Sequence, residues 1–504
     1  MWTDSAVDGS MDKPVSQNEA LQAPSPAMTE SEKNAIIGGV LLSMLLAALD
    51  QTIVAPAMPT IALALGHAQY LPWIVTGYLL TATAMAPLYG KISDVYGRRP
   101  TIYAAIVIFL AGSLVSALAP NMFVLIVGRA VQGLGGGGLF ALSQTVIGDL
   151  VPPRERARYA AWISGTWAVA SIAGPLLGGA FAEHLHWSLI FWINIPLGIL
   201  AMAIINNPLK KLPVAARRHR IDGLGALLLV IATAVLLLAL NWGGGTYAWG
   251  SPQILGLIAL SAAFWAGFAL RVMRAAEPLI SLEVLGNRIV LAGTLSMFVL
   301  QAANIGLSVY LPVYLQSYAG LTAGESGVGM LGLLLGTVFG ATMSGRMVAR
   351  VVHYKRIATF GVTFAIACLL VMAYLADSAS LLVVELLTVA AGIGTGTTFP
   401  VITVSVQNAV DQMHLGVATG LLTFLRSLGA ALGVALLGAV ALAYDLPLMG
   451  EGTSIGTALS SAAPFAMIFL ACAAMLAASL VALGLMPEKP LRGSGHAEAP
   501  VLVE

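Results

Sequence analysis

The sequence predicts an all-α polytopic membrane protein with fourteen membrane-spanning helices, and three observations support this. Hydrophobic residues make up 58% of the 504 residues and charged residues only 9%, whereas a soluble domain carries about 25% charged residues. Fourteen apolar stretches are long enough to cross a bilayer, which takes about 20 residues. Nearly all the cations lie between these stretches, on one side of the predicted membrane.

The predicted spans follow from the length of each apolar stretch. They cover residues 35–57, 70–89, 101–119, 122–148, 159–182, 187–206, 223–241, 253–273, 290–314, 326–348, 357–376, 380–404, 415–442 and 464–485.

The distribution of cations tests this count. With fourteen spans, every Lys and Arg outside the spans falls on the same side as both termini. The opposite loops carry acids instead, namely Glu183, Glu325, Asp377, Asp445 and Glu451. Because loops rich in Lys and Arg stay in the cytoplasm, we expect both termini to be cytoplasmic and the chain to lie in the cytoplasmic (inner) membrane.

Spans 7 and 8 lie between two basic loops and look like an insert between two six-helix halves. We therefore expect five parts: a disordered cytoplasmic tail that is polar and lacks an apolar core, a first half, the insert with its loops, a second half and a cytoplasmic tail. Their predicted ranges are 1–34, 35–206, 207–289, 290–486 and 487–504. Cys368 and Cys472 lie inside apolar runs, which predicts neither a disulfide nor a metal site.

A short charged island, residues 90–100, separates spans 2 and 3. Lys and Arg cost about 2.5–3.5 kcal/mol each at the centre of a membrane helix, so its cations must lie at a membrane face. Gly90 and Gly97 allow close helix approach and a tight turn. Asp94 can meet an arginine or the positive end of a helix.

This island reads Gly-x-x-x-Asp-x-x-Gly-Arg-Arg, ending in Arg98 and Arg99, and it resembles the signature loop of the major facilitator superfamily. The resemblance implies two six-helix halves with a ligand site near the midplane between them. It also implies that Asp94 faces the start of span 13, near His414 and Gly416, when the cytoplasmic side is closed.

Asp50 lies inside the first span, six residues before Pro56. An acid in a span is costly unless it faces a wet cavity or has a partner, so it is a functional site by default. The segment resembles the first-span signature of the fourteen-span drug:proton antiporters, whose acid takes part in proton coupling or in binding cationic substrates. A structural role at a kink before Pro56 is the alternative.

Span 4 carries Arg129 and Gln132, three residues apart and therefore on one helix face. A buried arginine needs an acid, carbonyl groups or water, and Asp50 is the natural partner. The pair resembles the Arg-x-x-Gln-Gly motif of the superfamily, whose arginine is implicated in proton transfer. The glycine run that follows, residues 133–138, lacks the strand and the Gly-Lys-Ser/Thr of a phosphate loop, and it predicts close helix packing.

Span 5 contains Gly174, Pro175, Gly178 and Gly179. Proline removes a backbone hydrogen bond, and the glycines let a neighbouring helix approach. The segment resembles the antiporter signature Gly-x-x-x-Gly-Pro-x-x-Gly-Gly, with Ala170 in place of the first glycine, and we expect a functional kink. Asn194 in span 6 is a candidate polar contact in the cavity.

In the second half, Glu385 and Arg426 are the charged residues that we single out within spans. Glu385 lies near the outer end of span 12 and is a second candidate proton site. For Arg426 in span 13 three roles stay open: binding an anionic group, stabilising an inner gate, or a structural pairing.

The resemblance covers nearly all of residues 35–485 and implies a proton-coupled exporter, not an enzyme. We expect Asp50 to face a mostly apolar cavity, and the cargo to be amphipathic and cationic or neutral. The proton gradient would supply the energy, without a cofactor or metal, without nucleic acid and without an envelope partner protein. The alternatives are a dedicated exporter of one endogenous metabolite, siderophore or antibiotic, and, more remotely, a non-transporting membrane receptor.

Overall fold

A computed structural model describes residues 28–67, 70–211, 222–321, 323–348, 350–378, 380–444 and 462–491. These residues form seventeen α-helices and no strand. The helices are α1 Glu30–Leu65, α2 Leu71–Tyr96, α3 Arg98–Ala117, α4 Met122–Leu150, α5 Pro153–His184, α6 Leu189–Trp192, α7 Asn194–Asn206, α8 Gly223–Trp242, α9 Pro252–Arg274, α10 Leu282–Gly286, α11 Arg288–Ser317, α12 Ala323–Val348, α13 Lys355–Tyr374, α14 Leu381–Gly396, α15 Thr398–Ala409, α16 Leu415–Ala443 and α17 Ala463–Leu485.

The predicted all-α membrane fold is confirmed. Within the described residues, thirteen helical segments are long and apolar enough to cross a membrane. The remaining predicted span is α2, whose 26 residues reach about 39 Å at 1.5 Å per residue. Most of the predicted N-terminal tail, the loop around Arg217 and the outer loop with Asp445 and Glu451 lie outside the described residues.

The first helix begins earlier than predicted. It starts at Glu30, because Thr29 and Glu32 form a capping box that satisfies the first free backbone N–H groups. The segment 30–34, expected to belong to the disordered tail, is therefore helical.

Two predicted spans each contain a one-residue interruption between two helices. Span 6 forms α6 and α7, with Ile193 between them, and span 12 forms α14 and α15, with Thr397 between them. In each case a proline, Pro196 or Pro400, follows within three residues of the break and cannot donate a backbone hydrogen bond. The break places Asn194 at the first residue of α7.

Buried apolar side chains form three clusters. Two of them lie within residues 36–209, and the third lies between residues 226 and 491 apart from Ala86. The inserted helices α8 and α9 share the third cluster and are joined by a hydrogen bond from Ser261 Oγ to the Ala232 carbonyl (2.8 Å). Helix α8 also contacts α2 and α16, so it covers a seam between the two parts of the chain. The domain boundaries stay a prediction.

The glycine run of α4 packs against α2 and α3, as predicted. A Cβ atom at Gly135 would overlap the Ala105 carbonyl oxygen of α3, and one at Gly137 would overlap the Ala82 carbonyl oxygen of α2. Backbone atoms cannot move aside as a flexible side chain can, so these positions set the distance between helices.

We predict that Gly135→Val destabilises the protein by about 1–3 kcal/mol or more, because a side chain there forces two helix backbones apart. Gly165→Val is the matched control, since the same change on α5 meets no atom within 4 Å. The measurement is the thermal unfolding midpoint of the purified protein in detergent. Equal midpoints for the two variants would contradict this account of the packing.

Candidate functional site

Asp50 and Arg129 form a buried ion pair in the first part of the bundle. Arg129 Nη1 donates to Asp50 Oδ2 at 2.5 Å. Asp50 is fully buried and Arg129 is 1% exposed. The contact joins α1 to α4, and the carboxylate compensates the charge of an arginine whose burial alone would be costly.

The second carboxylate oxygen of Asp50 accepts two amide hydrogen bonds. Gln132 Nε2 donates to Asp50 Oδ1 at 2.6 Å and Asn194 Nδ2 donates to the same oxygen at 3.0 Å. Both amides also donate to Ser113 Oγ of α3, at 2.8 and 3.2 Å. Asn194, the first residue of α7, reaches this point from the helix that follows Ile193.

The remaining surroundings of Arg129 come from α2 and α6. Its Nε donates to the Ile74 carbonyl at 3.0 Å. The guanidinium carbon lies 4.5 Å from the centre of the Tyr78 ring and 5.7 Å from that of Phe191, a cation–π arrangement that stabilises a desolvated cation. Helices α1, α2, α3, α4, α6 and α7 therefore all meet at one charged cluster.

The structure brings together Asp50, Arg129, Gln132 and Asn194, four of the residues proposed from the sequence. Sequence reasoning missed Ser113 and Tyr78. Serine and tyrosine are ordinary residues within a span, and no spacing marked these two.

A cavity of about 750 Å³ lies between the two parts of the chain. Residues from both parts and from the insert line it. The aromatic walls include Trp167, stacked on Phe140 with ring centres 5.3 Å apart, and Phe399, Tyr310 and Trp249. The size and the mostly apolar wall suit a drug-sized molecule.

The expectations that Asp50 faces this cavity and that Asn194 is a polar contact in it are not met in this conformation, because neither residue lines the cavity. Gln51, the next residue of α1, lines the cavity, whereas Asp50 does not. The reason is geometric: adjacent helical residues point about 100° apart, and Asp50 points to Arg129. A cationic cargo would thus find no acid in the cavity wall.

The two charged residues proposed for the second half are separated. Arg426 lines the cavity, and Glu385 does not. Glu385 is partly buried on α14, which packs against α12. The structure therefore places Glu385 outside both the cavity and the Asp50 cluster.

The glycines of α5 contribute to packing unequally. A Cβ atom at Gly174 would overlap Thr52, and one at Gly178 would overlap the Ile53 carbonyl oxygen of α1. Gly179 has no atom near its missing Cβ. Helix α5 continues through Pro175 as one helix, and the functional kink stays a prediction.

The end of the bundle where α2 meets α16 is closed by Asp94. The amides of Gly416 and Val417, in the first turn of α16, donate to its carboxylate at 3.1 and 2.9 Å. This is the position expected from the sequence, beside His414, and it sets a negative charge against the positive end of a helix. A Cβ atom at Gly90 would overlap the Gly416 carbonyl oxygen, so the two helices touch at backbone distance.

The arginines of the charged island anchor Asp94 and the neighbouring helices. Arg98 donates to Asp94 at 2.5 Å and to Asp149 at the end of α4 at 2.7 Å. Arg99 Nη2 donates to Asn206 Oδ1 at 3.0 Å, at the end of α7. Gly97 has a φ angle of 92°, which a residue with a side chain rarely adopts, so it permits the turn between α2 and α3.

We predict that Asp94→Asn opens this end of the bundle, because each lost hydrogen bond to the carboxylate contributes about 1.5–3 kcal/mol. Spin labels at the exposed residues Tyr96 and Met413, in a background without the two natural cysteines, would report a longer distance. Glu155→Gln, which changes an exposed acid at the same end, is the control. An unchanged distance in Asp94→Asn would show that the contact does not hold the closure.

The sequence matches the Major Facilitator Superfamily over residues 40–434. The chain is 33% identical over 411 residues to the multidrug transporter protein MdtP of Bacillus subtilis, covering 82% of this chain and 76% of MdtP. It is also 33% identical over 429 residues to the uncharacterized MFS-type transporter Rv1877 of Mycobacterium tuberculosis, with 85% of this chain covered; the match spans only 62% of that relative's length.

Among solved structures, the fold resembles that of the proton:xylose symporter XylE bound to 6-bromo-6-deoxy-D-glucose. The TM-score is 0.61 at 14% sequence identity, covering 92% of this chain and 98% of the symporter. At this identity the likeness concerns the fold alone. The sequence match, the fold and the closed helix pair at Asp94 agree: the chain belongs to the Major Facilitator Superfamily.

Proposed function

We propose that this protein is a proton-coupled antiporter that exports amphipathic drugs and toxic small molecules from the cytoplasm by alternating access. Asp50 is the proton site. The observation that carries the proposal is the buried Asp50–Arg129 pair, in which an acid inside a membrane bundle is held by an arginine and two amides. Relatives named as multidrug transporters support the choice of cargo.

Protonation of Asp50 provides the coupling. A proton on the carboxylate removes its charge and leaves Arg129 buried without a counter-charge, which costs about 3–5 kcal/mol when one partner of a buried pair is lost. The helices that meet at the cluster must then rearrange to solvate the guanidinium. Deprotonation restores the pair and the arrangement described above.

The proton route is short. Gln51 lines the cavity one residue from Asp50. The Tyr78 ring lies under the Arg129 guanidinium, and its hydroxyl lies against Gly136, another residue of the cavity wall. A proton from the cavity therefore has only one layer of side chains to pass before it reaches the pair.

The basic loops indicate which end of the bundle faces the cytoplasm. The closed end carries Lys91, Arg98 and Arg99, and loops of this charge stay in the cytoplasm. The cavity walls extend along α16 from Thr423 to Leu442, away from that closure. We therefore assign this conformation to the state that is closed to the cytoplasm, in a cytoplasmic membrane and without an envelope partner.

We expect inverted membrane vesicles with an acidified interior to release protons when a substrate is added, because substrate and proton exchange across the membrane. A panel of acidic, neutral and cationic dyes and drugs supplies the substrate, and a pH-sensitive dye reports the release. Asp50→Asn should lower the initial rate of proton release at least tenfold, since the side-chain amide of asparagine takes up no proton at the pH of the assay.

Asp222→Asn is the matched control, because Asp222 is also buried and paired with an arginine, Arg271, but lies in the insert and outside the cavity wall. It should release protons like the wild type. Release from Asp50→Asn at the wild-type rate would move the proton site elsewhere, with Glu385 next to test. No release from the wild type with any compound would overturn the proposal of drug–proton antiport.

A further inference from the structure

Arg129 and Arg426, which lie well inside their spans, have opposite surroundings. Arg129 is paired with Asp50 and is closed off from the cavity. Arg426 lines the cavity, and among the described residues no hydrogen bond or ion pair to its guanidinium occurs. A cation within an apolar bundle that lacks an acid is costly, so this charge is available to a partner from outside the chain.

The cavity wall carries a single sign of charge. Of the residues that line it in the described part of the chain, Arg426 is the one charged residue; the others are apolar or neutral polar. The Asp50–Arg129 pair is neutral as a unit and does not offset this charge. The wall therefore attracts an anion and repels a cation.

Arg426 lies near the closed end of the cavity. Gly420, less than two turns earlier on α16, packs against Ala86 and Pro87 of α2 just inside the Asp94 closure. Thr423, one turn from Arg426 on the same helix face, also lines the cavity, and its buried hydroxyl has no hydrogen-bond partner among the described residues. Two donors without acceptors thus stand at the bottom of the cavity.

The part of the cavity wall further from the Asp94 closure can contact the rest of a ligand whose anionic group binds Arg426. Helices α11 and α16 touch where Gly429 meets the Phe298 carbonyl and Gly433 meets the Ala302 carbonyl, so they run side by side in the same direction. Gln301 of α11, whose buried side-chain oxygen has no partner in the described part of the chain, therefore stands about 9 Å further from the closure than Arg426. The aromatic walls continue to Trp249.

We infer that the cargo of this protein includes amphipathic organic acids, whose carboxylate is bound by Arg426 at the closed end of the cavity while the apolar body lies against the aromatic walls. A carboxylate forms short, charge-assisted hydrogen bonds with a guanidinium and a hydroxyl. The inference rests on the proposed function in taking this cavity as the transport site. It differs from the cationic or neutral cargo expected from the sequence, because the wall offers no acid to a cation.

The test uses three ligands of nearly equal shape: pyrenebutyrate, its methyl ester, and a pyrene alkylammonium. Energy transfer from tryptophan to pyrene reports binding, because Trp167 and Trp249 line the cavity. Titrations are made on the purified full chain in detergent. The wild type should bind the carboxylate at least tenfold more tightly than the ester, about 1.4 kcal/mol, and the ammonium most weakly.

Arg426→Gln should reduce the affinity for the carboxylate to that for the ester and leave the ester unchanged, which also shows that the variant is folded. Arg426→Lys should restore part of the preference, because lysine keeps the charge without the planar fork of donors. Arg274→Gln, at the end of α9 and outside the cavity wall, is the control and should behave like the wild type.

Three results would overturn the inference: equal affinities of the wild type for carboxylate and ester, tighter binding of the ammonium, or a carboxylate preference that persists in Arg426→Gln. Because these titrations need no proton gradient, they are independent of the vesicle assay. A carboxylate site without proton release would refute antiport alone, and proton release driven only by cationic compounds would refute the acid cargo alone.

Discussion

The ion pair of Asp50 and Arg129 is the interaction on which the first part of the bundle depends. Six helices supply either a charge, a hydrogen bond or an aromatic face to it. An arginine and a carboxylate that are fully buried inside a membrane bundle are costly unless they are paired. This requirement also suits the pair to proton coupling. One proton on Asp50 removes the counter-charge of Arg129, and with it the interaction that holds these helices together.

Backbone contacts allow these polar groups to meet. The glycines of α4 bring α2 and α3 to within backbone distance, and Asn194 at the start of α7 donates an amide hydrogen bond to Asp50. At the other end of α2, Gly90 meets Gly416 in the same manner, and Asp94 then caps α16. Small residues therefore set the helix distances, and a few charged side chains fix which helices stay together.

Much of this could be predicted from the sequence, because membranes restrict where charges lie. The span count and the partnership of Asp50 with Arg129 followed from the cost of charges in a membrane. The Asp94 contact followed from the resemblance of residues 90–99 to the superfamily loop. The features that could not be predicted depend on the direction in which each side chain points around its helix axis. Asp50 and Gln51 are neighbours in sequence, yet only Gln51 reaches the cavity. Ser113 and Tyr78 were missed because neither carries a charge that would mark it as costly in a span. The roles of Arg426 stayed open because its surroundings come from distant helices.

The unpaired charge of Arg426 also bears on the energy source. If an organic anion leaves the cell as one proton enters, two positive charges in effect move inward in each cycle. A membrane potential that is negative inside favours that movement by about 2.3 kcal/mol for each elementary charge at 100 mV. Export would then be electrogenic, and the voltage across the membrane would expel the cargo even where the pH on both sides is equal.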